Sequence, residues 1–218
     1  MNKKKRIPLN PFVLTGYVSP DYFCDRQKET DKIISALLNG RNITLTSPRR
    51  MGKTGLIHHV FHKMQENNDV KCFYVDLYQT DSLELLVKKL ADTILGSLDS
   101  TEDIIVKNIV SFFKMLRPVV TVDPITGEPG FKVDVEPGQG EYSLSEIFAY
   151  MEKSDYRCFV AFDEFQTIAS YADKNVEALL RSHIQRLTNV NFIFSGSQRH
   201  VLENMFASAS RPFYQSTQ

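Results

Sequence analysis

The chain has 218 residues, 42% hydrophobic and 24% charged, which fits one α/β domain or two small ones and excludes general disorder. Lys plus Arg and Asp plus Glu both number 26, so the formal net charge is zero and no nucleic-acid coat is advertised; only a local patch would serve an acidic partner. No apolar run approaches the ~18 residues of a membrane span, and no apolar signal core follows the basic start Lys3-Lys4-Lys5-Arg6.

From Ile7 to Phe23, with Pro8, Pro11, Gly16 and Pro20, the chain reads as an extended arm, placed at residues 1–22. Asp25 to Leu38 reads as a helix with Ile33, Ile34, Leu37 and Leu38 on one face and Gly40 as its stop. Ile43 to Thr46 is a short strand. A helix follows from Gly52, striped by Leu56, Ile57, Val60, Phe61 and Met64. Val70 to Leu77 is a strand buried on both faces, and Asp81 or Ser82 caps a helix to Leu95. Ile104 to Leu116 reads as another helix. Val119 to Val122, a Pro/Gly turn, and the alternation Phe131, Val133, Val135 read as a hairpin with one wet face, inserted between core elements. Ser143 caps a helix to Met151 with Glu146 three residues on. Cys158 to Phe162 is a buried strand ending at Asp163-Glu164. Val176 to Leu187 is helical, Val190 to Phe194 is a strand, and Gln198 to Phe206 is the last helix. Buried strands alternating with helices predict a mainly parallel sheet.

The segment Ser47-Pro48-Arg49-Arg50-Met51-Gly52-Lys53-Thr54, continued by Gly55, joins a strand to a helix, the context a phosphate loop needs. Amides at a helix N-terminus make a nest for phosphate oxygens. Gly52 permits close backbone approach, Lys53 reaches the β- and γ-phosphates, and the Thr54 hydroxyl suits Mg²⁺. The usual pattern GxxxxGK[ST] has Gly where Ser47 stands, so the turn has to be entered with a side chain. The second element is Asp163-Glu164 at a strand end, with Asp163 as metal carboxylate and Glu164 as the group that polarises an attacking water. Ligands of open α/β sheets lie at strand carboxyl ends, which brings both motifs to one crevice. A hydroxyl of Ser195-Gly196-Ser197, with Ser197 the candidate, either senses the γ-phosphate and orients the water or belongs to a plain Ser/Gly turn. The expected fold is an α/β P-loop NTPase three-layer sandwich with a β-hairpin insertion, spanning residues 23–218.

Asn10-Pro11-Phe12, the box from Phe23 to Glu29, the loop Ser47 to Thr54, Phe162-Asp163-Glu164-Phe165-Gln166 and Ser195-Gly196-Ser197 together resemble the prokaryotic, archaeal-type ATPases of the AAA+/STAND branch, from about Asn10 to Tyr214. The resemblance implies ATP and Mg²⁺ as ligands. It implies Lys53 and Thr54 at phosphate and metal, Asp163 as metal carboxylate, Glu164 as catalytic base, and the box with Phe23 and Arg26 near adenine. The family box usually carries Gly where Asp25 stands. Relatives continue into a further core strand, a helical lid and often a winged-helix domain, so the resemblance implies a nucleotide core without them and weak turnover for the isolated chain.

The expected function is Mg²⁺-dependent hydrolysis of ATP to ADP and phosphate. Competing readings are a nucleotide-gated switch or scaffold with little hydrolysis, acting through self-association, and a DNA-associated ATPase module. The absence of an Asn-Lys-x-Asp run offers no guanine reader. Arg49 and Arg50 are read either as phosphate or neighbour contacts or as packing on the sheet edge. Arg211 is read as an arginine reaching a neighbour's nucleotide or as a surface residue. His58 and His62, one turn apart, lack the Glu and third ligand of a zinc protease. Arg181, His183 and Arg186 read as a solvated face before a nucleic-acid contact. Cys24, Cys72 and Cys158 form no CxxC pair, which predicts a reduced, cytoplasmic setting.

Overall fold

The strand Arg157–Asp163 is buried from Cys158 through Asp163, and a strand hidden on both faces has to run between two layers. The computed structural model describes residues 16–23, 25–98, 116–122, 129–173 and 175–217. In chain order these form α1 (Gln27–Leu38), β1 (Ile43–Thr46), α2 (Lys53–Met64), β2 (Val70–Asp76), α3 (Leu83–Leu98), β3 (Leu116–Val122), β4 (Pro129–Val135), α4 (Gly140–Glu152), β5 (Arg157–Asp163), α5 (Val176–Ile184), β6 (Val190–Gly196) and α6 (Arg199–Ala207). Short 3-10 turns cover Pro20–Tyr22 and Phe165–Ser170.

Strands β1, β6, β5 and β2 lie side by side in that order, every pair parallel. Period-two alternation sorts their side chains. Cys158, Val160 and Phe162 join Phe192 and Phe194 on one face, covered by α3, α4, α5 and α6. Phe159, Ala161 and Ile193 meet Ile33 and Leu37 of α1 and Leu56, Ile57 and Val60 of α2 on the other. This is the expected three-layer α/β sandwich. The first face is rich in phenylalanine: Phe162, Phe165, Phe194, Phe206 and Phe213 form a connected ring cluster, with Phe194 and Phe165 centroids 4.6 Å apart.

The hairpin is a separate antiparallel pair running from Leu116↔Val135 to Val122↔Pro129. Its apolar face docks on α3: Val133 and Val135 are buried, Asp92 of α3 accepts the Val133 amide at 2.7 Å, and Lys132 and Asp134 stay exposed. Its turn, residues 123–128, lies outside the described residues.

Several boundaries differ from the sequence expectation. Most of the helix expected over Ile104 to Leu116 lies outside the described residues, but Leu116 itself opens β3, where it pairs with Val135. Pro118 explains the change, since proline disfavours helical backbone at the residue before it. Ser143 is not a helix cap. The turn at Gly138 (φ 75°) ends at Gln139, α4 starts at Gly140 against Leu83, and Ser143 is buried in the first turn, its amide bonded to the Gln139 carbonyl. Helix α5 stops at Ile184, three residues short of Leu187. Within the described part of the arm, Pro20 starts a 3-10 turn rather than extended chain, because its fixed φ suits a first helical position. Residues 1–15 lie outside the described residues. No helix among the described residues is long and apolar enough to cross a membrane.

Candidate functional site

Parallel register brings the strand ends to one level. Thr46 pairs with Gly196, and Phe162 with Phe194, so the loop after β1, the Asp163-Glu164 pair and Ser197 meet at one edge of the sheet. The loop turns through two left-handed residues, Arg50 (φ 64°) and Gly52 (φ 72°), and Gly52 leads directly into α2. Ser47 takes no left-handed conformation, so its side chain is tolerated at the loop's entrance. The Lys53 ammonium is buried and donates to the Ser47 carbonyl at 2.9 Å and the Pro48 carbonyl at 3.5 Å, folding back over the loop it would share with phosphate oxygens.

Alternation along β5 sends Asp163 to the α1/α2 face, two residues beyond Ala161. Its Oδ2 accepts Thr54 Oγ1 at 2.8 Å and Tyr74 Oη at 2.6 Å, while Oδ1 accepts the Glu164 amide at 3.0 Å. Asp163 is 4% exposed. Burial pushes its carboxyl up, but donors that include Tyr74, Thr54 and the Glu164 amide outweigh burial and hold it below the usual carboxylate range. A buried, ionised carboxylate therefore sits beside a hydroxyl that donates to it. Hard cations such as Mg²⁺ take oxygen ligands of this kind, so Thr54 and Asp163 fit the ion.

Glu164 follows in a left-handed conformation (φ 53°, ψ 39°). Its Oε2 accepts Ser197 Oγ at 2.8 Å, the Ser197 amide at 3.4 Å and Gln166 Nε2 at 2.5 Å. Gln166 is nearly buried and lies against Gly196, where a Cβ would meet its Oε1 at 2.0 Å. One carboxylate oxygen is thus fixed by donors from the turn and from the end of β6.

Three comparisons bear on this arrangement. Neither the protein-family models nor the curated proteins give a match. Solved structures do. A Walker-type ATPase of Pyrococcus abyssi superposes with a TM-score of 0.58 at 19% identity, over 95% of this chain and 55% of its own. The Aeropyrum pernix ORC2 protein, solved as ADPNP–ADP complexes, gives 0.58 at 16% identity over 93% and 48%. The Aeropyrum pernix ORC1 protein in complex with DNA gives 0.58 at 14% over 91% and 46%. The chain therefore shares its α/β fold with that Walker-type ATPase and with the two ORC proteins. The chain spans about half the length of the structures it matches.

The other sequence candidates take these places in the fold. Phe23 stacks on His59 at 4.2 Å and lies beside Gly55, while Arg26 donates to the Met51 carbonyl at 3.0 Å and to Glu29 at 3.2 Å. The box therefore lies against the phosphate loop and the first turn of α2. Pro48, Arg49, Arg50 and Met51 are exposed at the loop crest, so the two arginines do not pack on the sheet edge. Arg211 is neither free nor a plain surface residue: its Nη2 pairs with the buried Glu177 of α5. Of the helix histidines, His59 bonds the Tyr17 hydroxyl at 3.0 Å and His58 packs on Tyr74 at 4.4 Å. His183 lies over Phe148. Cys72 and Cys158 are free and buried. Tyr74 and Gln166 are the site residues that motif reading missed. Tyr74 is placed by register: it shares a strand face with Cys72, and pairing with β5 carries that face to Asp163. Gln166 stands at the end of the Phe162-to-Gln166 motif with no role readable from it, since it reaches Glu164 through the 3-10 turn that follows β5.

Proposed function

We propose that the chain binds Mg²⁺–ATP at this strand edge and hydrolyses the β–γ bond. The observation that carries the reading is the 2.8 Å hydrogen bond between Thr54 Oγ1 and Asp163 Oδ2, which joins the loop after β1 to the end of β5. Bound there, Mg²⁺ would neutralise charge on the β- and γ-phosphate oxygens. Lys53 leaves the Ser47 carbonyl and donates to phosphate instead, as a flexible point charge. The amides at the start of α2 add a fixed positive field. Glu164, with Oε2 held by Ser197 and Gln166, uses its second oxygen to align the attacking water and take its proton. Positioning and charge neutralisation supply most of the rate. Phe23 and Arg26, next to the loop, border the space for the base. A likeness to the ORC1 protein solved with DNA lends support to a DNA-associated role for a longer assembly.

Calorimetric titration of ATP with and without Mg²⁺ tests the reading. Lys53→Ala weakens ATP by about tenfold or more, the loss of a charged hydrogen-bond donor to phosphate. Glu164→Gln binds within about threefold of wild type and loses turnover by about a hundredfold or more. Retained turnover in Glu164→Gln refutes the base. The occupied Oε2 of Glu164 favours a second reading, a nucleotide-gated switch with slow hydrolysis; light scattering with and without ATP, beside the turnover assay, separates the two.

A further inference from the structure

Tyr74 of β2 reaches the same strand edge from a neighbouring strand. Its neighbours on the same strand face, Val70 and Cys72, are buried in the α1/α2 core, and the face would accept another apolar side chain at position 74. Instead the half-buried phenol extends over α2 and donates to Asp163 Oδ2 at 2.6 Å. Register fixes this meeting: Tyr74 lies opposite Ala161, two residues before Asp163, and both side chains leave the same face. The His58 ring, centroid to centroid 4.4 Å away, packs against the phenol ring, and Thr54 donates to the same carboxylate oxygen. With Oδ1 bound by the Glu164 amide, the Asp163 carboxylate is held by donors from β2, from α2 and from its own strand end.

We propose that Tyr74 is a positioning residue for the metal site: its hydroxyl fixes the plane of the Asp163 carboxylate and thereby sets the affinity for Mg²⁺ in the nucleotide complex. The inference rests on the Mg²⁺–ATP reading above and goes one residue beyond it. Groups that hold a ligating carboxylate are worth about 10–100-fold in metal affinity. Phosphate binding by Lys53 and the loop does not pass through Tyr74, so metal-free nucleotide binding is independent of it.

The test uses Tyr74→Phe, which keeps the ring against His58 and removes only the hydroxyl, with a fluorescent ATP analogue as probe. Tyr74→Phe raises the Mg²⁺ concentration for half-maximal fluorescence change by about tenfold, while binding in EDTA stays within about twofold of wild type. A merely structural role would weaken binding in EDTA as well and lower the melting temperature, and that result overturns the proposal. So does a Mg²⁺ dependence identical to wild type. If wild type binds the analogue with no response to Mg²⁺, the parent reading fails and takes the proposal with it. Should Tyr74→Phe fold poorly, tyrosine Cζ NMR on the wild-type complex decides: the Tyr74 resonance moves when Mg²⁺ is added to the nucleotide complex, and an unmoved resonance refutes the assignment.

Discussion

Gly196 ends β6 directly beneath the turn that carries Gln166, and its substitution by alanine measures how tightly that turn is built. An ideal Cβ at position 196 would lie 2.0 Å from Gln166 Oε1, 3.1 Å from Gln166 Cδ and 2.9 Å from Leu202 Cδ1. Contacts this short require movement. Leu202 is fully buried in α6, and Gln166 is tethered through Nε2 to Glu164, so the amide can swing away only by giving up that hydrogen bond. Overpacking a filled site costs about 1–3 kcal/mol, and the lost bond to a charged acceptor sets the expected value near the middle, about 2 kcal/mol. For a chain of this size that corresponds to a fall in melting temperature of about 4–8 °C. Gln166→Ala alone loses the same hydrogen bond and leaves a void. In the double variant the new methyl occupies that void, so its cost falls short of the sum of the two single costs by about 1 kcal/mol or more. Leu202 keeps the rescue partial. Urea denaturation of the single and double variants closes the cycle. A cost for Gly196→Ala below about 0.5 kcal/mol, or strict additivity, would refute the close packing of Gln166 on Gly196.

Two further outcomes follow from local geometry. Asp25 adopts φ 70°, a region that favours glycine, so Asp25→Gly stabilises the chain by about 0.5–1 kcal/mol in urea denaturation; an unchanged or lower midpoint counts against strain at that residue. Burial depresses the imidazole pKa of His58, His59 and His183 below the ordinary value of 6.5. Below that value the unfolded chain binds protons that these native imidazoles refuse, so stability rises with pH through the ordinary histidine range and falls on acidification. Melting temperatures taken between pH 5.5 and 7.5 climb, and a flat or falling series contradicts the neutral placement of the buried His59 and the half-buried His58 and His183.

The layers of the fold are readable from periodicity because β2, β5 and β6 are short, largely apolar runs set between striped helices. The elements that went astray are those ruled by neighbours. Ser143 carries a cap signature, yet the turn at Gly138 and the packing of Gly140 on Leu83 start α4 earlier. Leu116 fits a helical stripe but pairs with Val135 once Pro118 has forced extended chain before it. At the strand edge, Lys53, Thr54, Asp163, Glu164 and Ser197 announce themselves by residue type and by position after strands. Tyr74 announces itself only through register, which requires knowing that β2 lies next to β5. Arg211 shows the converse, an arginine at a suggestive place in sequence whose partner, Glu177, belongs to its own fold.

Phe213, in the segment after α6, is fully buried, its ring 5.4 Å from Phe165, 5.4 Å from Phe194 and 5.3 Å from Phe206. The stretch after the last helix is therefore a keystone rather than a trailing tail. Its ring meets Phe165 at the start of the 3-10 turn that also carries Gln166, so the closing segment and the strand-edge turn rest on one aromatic anchor.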